Sequence, residues 1–143
     1  MHSIIFTGDL GQQLKIDVLG YERAPVGEYF DDNWLSVEVS IKAGAFAGTF
    51  EASFLTGELE AFREQLMALY ETLTGQAEFE TLEGQLSLEL KGDGLGHINL
   101  EGRAQDQAGI GNALSFELTC DQTQLQSSLN DVSRALGVFP VRI

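Results

Sequence analysis

The chain of 143 residues carries 22 Asp and Glu against 8 Lys and Arg, a formal charge of −14 at pH 7. Such a surface repels phosphate backbones and anionic headgroups, so nucleic acid and membrane surfaces are poor partners and a basic protein is a good one. With 43% hydrophobic residues and only 2 prolines, the composition supports a packed core, and the length fits one domain over 1–143.

The opening Met1 to Asp9 lacks the basic and long apolar regions of an export signal, and no later apolar run approaches the roughly 18 residues of a membrane span. A cytoplasmic location is the expectation. From there period-2 alternation dominates, in Leu14-Ile16-Val18, in Leu35-Val37-Val39-Ile41 set against Trp34-Ser36-Glu38-Ser40, and in Phe46-Phe50-Phe54. Each series is bounded by turn residues and reads as a half-buried strand. The period then switches to helical: Leu59-Phe62-Leu66-Leu69-Leu73 predicts an amphipathic helix over 57–74, with Thr56 as N-cap and a stop at Gly75. Alternation returns in Leu86-Leu88-Leu90, Ile98-Leu100 and Leu114-Phe116-Leu118. Finally Leu125-Leu129-Val132-Leu136 predicts a second helix over 122–136, capped by Asp121 with Gln124.

Alternation with one polar face marks antiparallel strands solvated on one side. The expected fold is therefore α+β: a largely antiparallel sheet of about seven or eight strands, with two amphipathic helices packed on one face. Leu35, Val37, Val39, Phe62, Leu66, Leu88, Phe116, Leu118, Leu125 and Leu129 form the expected core. Two local echoes hint at duplication, Gly11-Gln12-Gln13-Leu14 with Gly84-Gln85-Leu86, and Asn33 to Glu38 with Asn112 to Glu117. Their offsets disagree, so the hint rests on pattern alone.

No catalytic constellation emerges. Of the two histidines, His2 is terminal and His97 falls on the polar phase of its strand; Cys120 continues the apolar series of its own strand and reads as a buried thiol. Gly92-Asp93-Gly94-Leu95-Gly96 is followed by strand, so it reads as a hairpin turn and not as a phosphate loop. Asp31-Asp32-Asn33 lacks the ligand spacing of a calcium site. No metal and no cofactor is expected. Two features remain. The segment from Tyr21 to Trp34 packs four aromatics and four acids into fourteen residues, and the stretch from Glu58 to Glu83 holds seven acids against Arg63 alone. Aromatics beside carboxylates make protein-recognition surface. Glu22, Glu28, Asp31, Asp32 and Trp34 are therefore the candidate partner-binding residues, Trp34 serving either as an exposed anchor or as filling beneath the loop.

At these same residues the chain resembles the WapI family of bacterial immunity proteins. The blocks that carry the resemblance run in order: Gly20-Tyr21-Glu22; Asp32-Asn33-Trp34-Leu35 with Val37 and Val39; Leu55-Thr56-Gly57-Glu58-Leu59; Glu83, Leu88 and Leu90; and Phe139-Pro140-Val141-Arg142. Departures are Gly57, where family members carry an aromatic, and Ala52-Ser53-Phe54, where they carry a cysteine-containing segment. The resemblance implies neutralisation of a cognate toxin domain, typically a nuclease, by stoichiometric binding without catalysis. It also implies that a motif shared by proteins facing different toxins can serve the fold. A rival reading is a small-molecule carrier with a ligand between sheet and helices, lined by Phe46, Phe50, Phe54, Phe62 and Phe79.

Overall fold

In the computed structural model, which describes residues 2–143, the chain runs β1 (His2–Thr7), β2 (Gln13–Tyr21), a one-turn helix α1 (Tyr29–Asp32), β3 (Trp34–Ala43), β4 (Phe46–Leu55) and α2 (Thr56–Thr72). It continues through β5 (Thr74–Phe79), β6 (Leu86–Asp93), β7 (His97–Gln107), β8 (Ile110–Asp121) and α3 (Gln122–Val138). Neighbouring strands pair antiparallel in two four-stranded sheets, β1-β2-β3-β4 and β5-β6-β7-β8. The α+β class, the antiparallel pairing and the number of strands match the expectation. The eight strands are divided between two sheets, however, because β4 runs straight into α2 without a hairpin and β5 therefore starts a new sheet. Four strands and a 17-residue helix thus occur twice. Of the two sequence echoes, Gly11 to Leu14 and Gly84 to Leu86 fall at the starts of the corresponding strands β2 and β6, whereas Asn33 to Glu38 and Asn112 to Glu117 lead into or lie on the non-corresponding β3 and β8.

The sheets meet through β4 against β7 and through β1 and β3 against β8, while α2 lies along β5, α3 along β1, and the helices touch each other. Each helix covers an edge strand whose outward backbone groups would otherwise be bare. The Ile5 N–H donates to Asp131 Oδ2 (3.1 Å) and Ser128 Oγ donates to the Ile5 carbonyl (2.6 Å). On the other edge the Glu78 N–H donates to Gln65 Oε1 at 2.8 Å.

Helix entry differs between the two copies. Asp121 and Gln124 form the expected reciprocal cap, at 2.7 and 2.9 Å. Thr56, expected as N-cap, is instead the first helical residue; the carboxylate of Glu58 reaches back to accept from the Leu55 N–H at 2.7 Å. The hydroxyl of Thr56 is engaged elsewhere, donating to the Asn33 carbonyl at 3.1 Å. At the far end α2 stops at Thr72 and not at Gly75, with Leu73 left-handed at φ 59° and β5 beginning one residue later. That tight reversal lays α2 along β5.

Every residue of the expected core is buried. Phe62 sits 6.0 Å from Phe6 and 5.0 Å from Phe79, which in turn packs edge-on against Phe54 at 5.1 Å. These rings fill the space that the carrier reading needs open, and Phe46, another of the five phenylalanines of that reading, is 65% exposed at the β3–β4 turn. Gly102 faces Phe116 across β7 and β8, and a Cβ there would strike the ring. Leu66 is fully buried, so Leu66→Ala costs roughly 2–5 kcal/mol in denaturant unfolding; a loss under about 1 kcal/mol would contradict this packing.

Candidate functional site

The acid- and aromatic-rich segment is a loop folded around one carboxylate. Asp32, at 6% exposure, accepts from the N–H groups of Val26 (2.9 Å) and Gly27 (2.8 Å). Arg23 stands 3.9 Å away from it. These N–H donors, that of Val26 foremost, hold the Asp32 carboxyl below its usual value of 3.8. Asp32 therefore shapes the loop from inside. Next to it Asn33, 1% exposed, joins three distant segments. Its Nδ2 donates to the carbonyls of Tyr29 (2.7 Å) and Arg142 (3.0 Å), its Oδ1 accepts from the Arg142 N–H (2.7 Å), and its own carbonyl accepts from Thr56 N–H at 2.9 Å.

Arg142 completes this knot. Its guanidinium lies 3.4 Å above the Tyr21 ring and donates to the carbonyls of Arg23 (3.0 Å) and Asp32 (3.3 Å). The Tyr21 hydroxyl donates to the Pro140 carbonyl, and the Tyr21 ring meets Phe139 edge-on at 5.5 Å. Four blocks that carry the family resemblance, around Tyr21, Asn33, Thr56 and Arg142, thus converge on one network centred on the buried Asn33 and Thr56.

The other candidate residues face outward. Glu28 is exposed; Asp31 is exposed and paired with Arg23 at 3.2 Å; Glu22 is exposed and accepts from the Ser53 hydroxyl. Trp34 is half-buried at the start of β3, opposite Leu55. Beside them the structure opens a groove of about 380 Å³ between α1 and α2, lined by Tyr29, Phe30, Leu55, Gly57, Glu58, Ala61, Glu78 and Glu80 among others. The loop segment and the acidic Glu58 to Glu83 stretch, separate in sequence, thus share one wall-to-wall site. Burial pushes the Glu58 carboxyl up, against the N–H groups of Leu55 and Leu82 that it accepts from.

Glu78 and Glu80 also line a second, adjoining groove of about 480 Å³ over the outer face of the β5–β8 sheet, together with Glu89, Glu101, Arg103 and Glu117. The pairing register sets Glu78 opposite Glu89, Glu89 opposite Glu101, and Glu101 opposite Glu117. Four carboxylates therefore stand in one row across all four strands, with neighbours about 5 Å apart at Cβ, an arrangement of like charges that opposes folding. Lys91 answers part of it, with Nζ 2.9 Å from Glu89 and its ammonium held protonated by Glu89 first and by Glu101 and Glu78 in addition. The sequence carried each glutamate on the polar phase of its strand, but only the register aligns them.

The remaining candidates have structural roles. Cys120 is buried, which, with Asp121 and Asp9 nearby, pushes its thiol up to about 11. Asp93 closes the β6–β7 turn by accepting from Leu95 N–H at 2.7 Å and His97 N–H at 3.1 Å, and His97 Nδ1 lies 2.8 Å from it.

Two expectations follow. Asn33→Ala strands buried backbone groups and lowers stability by about 2–4 kcal/mol in chemical unfolding; a loss below about 0.5 kcal/mol would mean the knot is dispensable. Asp32→Asn lowers the melting temperature at neutral pH. Because the native carboxyl sits below its unfolded value of 3.8, this stabilisation is complete above that value and disappears as pH falls through the native one, so the gap between variant and wild type closes in acid. A gap independent of pH would refute the charge-based account.

Comparison with known proteins bears on this arrangement. None of the curated proteins matches the chain. Among solved structures, the plant transcriptional regulator PBF-2 superposes with a TM-score of 0.52 at 12% identity, over 96% of this chain and 80% of that one, a likeness of fold alone. A model of the immunity protein WapI-like family matches residues 4–140, a span that includes Tyr21, Asn33, Thr56 and the start of the C-terminal segment held by the knot. The chain belongs to the immunity protein WapI-like family.

Proposed function

We propose that the protein neutralises a cognate bacterial toxin domain by direct stoichiometric binding through its acidic surface, inside the cytoplasm and without catalysis. Membership of an immunity protein family implies a toxin as protein partner; its chemistry follows from charge. The observation that carries the reading is the row Glu78-Glu89-Glu101-Glu117, a like-charge arrangement that a cationic partner relieves. Nucleases hold phosphates with Lys and Arg, so a nuclease toxin presents the complementary surface. Charge of this sign steers encounter and excludes nucleic acid and anionic membranes from the same face. Among the outward residues, Glu22, Glu28 and Asp31 extend the acidic field, Asp32 holds the loop that presents them, and the half-buried Trp34 adds an aromatic edge at the start of β3.

The test uses the cognate toxin domain, sought first in the adjoining reading frame. Titration calorimetry gives a 1:1 complex, and raising salt from about 50 to 500 mM slows association by about tenfold or more while dissociation changes little. Absence of binding, or loss of toxin activity at catalytic amounts of this protein, would overturn the proposal.

A further inference from the structure

One surface combines charge with exposed apolar area. Tyr29 and Phe30, on α1, are 54% and 64% exposed and pack against each other edge-on at 5.5 Å. Glu58, on the groove wall, accepts through Oε2 from the N–H of Leu82 at 2.6 Å, and Leu82 is itself 70% exposed. Exposed aromatic side chains are the residue types that anchor protein interfaces. The groove floor is open because position 57 has no side chain: a Cβ there would meet only the Tyr29 hydroxyl, at 3.8 Å. Its walls bear Glu58, Glu78 and Glu80, and the last two continue into the groove over the glutamate row.

We infer that this groove is the primary docking site for the toxin, and that it takes a segment carrying one apolar side chain flanked by Lys or Arg. The inference rests on the proposed function and names the site and the chemistry of its partner. The apolar residue enters between Phe30 and α2 over Gly57, and the flanking cations lie against Glu58 and Glu80, with further basic residues following Glu78 onto the row. Charge selects this occupant over the others. A second copy of the chain, itself at −14, would bring carboxylates against carboxylates. An anionic ligand would meet the same repulsion.

The experiment measures association and dissociation rates against the purified toxin domain, with melting temperature recorded for each variant. Phe30→Ala removes the anchor, Gly57→Trp fills the groove, and Glu80→Lys reverses a wall charge. Asp9→Lys is the control, since the β1–β2 turn lies by Ala43 and Gly44 at the opposite end of its sheet from Trp34. Phe30→Ala and Gly57→Trp are expected to weaken binding at least tenfold, mainly through faster dissociation. Glu80→Lys is expected to slow association at least fivefold and flatten its salt dependence, and Asp9→Lys to change either rate less than twofold. If Gly57→Trp unfolds the protein, Phe30→Ala and Glu80→Lys decide alone. Tight wild-type binding unaffected by these substitutions would overturn the site and leave the function standing, whereas no wild-type binding would overturn the function itself. Self-association of the wild type that Phe30→Ala abolishes would make the groove a homodimer face and also overturn the inference.

Discussion

A single buried carboxamide fastens together the loop before β3, the start of α2 and the C-terminal segment. Asn33 has no access to water, so each of its polar groups needs a protein partner. It finds them at the first residue of α1, at the first residue of α2 and in the C-terminal segment. The orientation of α1, and with it the position of Tyr29 and Phe30 above α2, follows from those bonds. Arg142 reinforces the tie by stacking on Tyr21 and donating to two carbonyls of the same loop. Without the knot the loop from Glu22 to Glu28, which has little apolar surface to bury, would lack a reason to adopt one conformation.

This arrangement separates residues turned inward from residues left at the surface. Tyr21, Asn33, Thr56 and Arg142 are committed inward, to one another and to backbone groups. Phe30, Glu80, Glu101 and Glu117 are exposed and Glu89 is half-exposed. The like-charge row on the second sheet is tolerated because its members are at least partly in water, where repulsion is screened; the same charges gain strength when a partner excludes that water.

Sequence pattern reached some of this and not the rest, for physical reasons. Strand alternation and helical periodicity report which side of an element faces the core, so Leu35, Phe62, Leu88 and Leu125 were legible as core from their phase. They do not report pairing beyond neighbours, so the division into two sheets was hidden; the sign was the absence of a turn between Leu55 and Thr56. The carboxylate row was hidden for the same reason, although Glu78, Glu89, Glu101 and Glu117 each lay on a polar phase. Asn33 and Asp32 were legible as part of a distinctive block, but their burial depends on donors from residues 26, 27 and 142 that no local window contains. Tyr29 and Phe30 stood out by composition; that they face solvent while Phe62 and Phe79 fill the core is a tertiary fact.

On the proposed reading, the knot around Asn33 holds an acidic, aromatic-lipped face toward the toxin. Amide hydrogen exchange on the free protein and on its complex with the toxin domain tests it most directly. The account predicts slowed exchange on binding in 26–32 and 80–84, which border the groove, and no change in the 44–49 and 106–112 turns. Protection confined to those two turns, or to α3, with the groove segments exchanging as in the free protein, would contradict it.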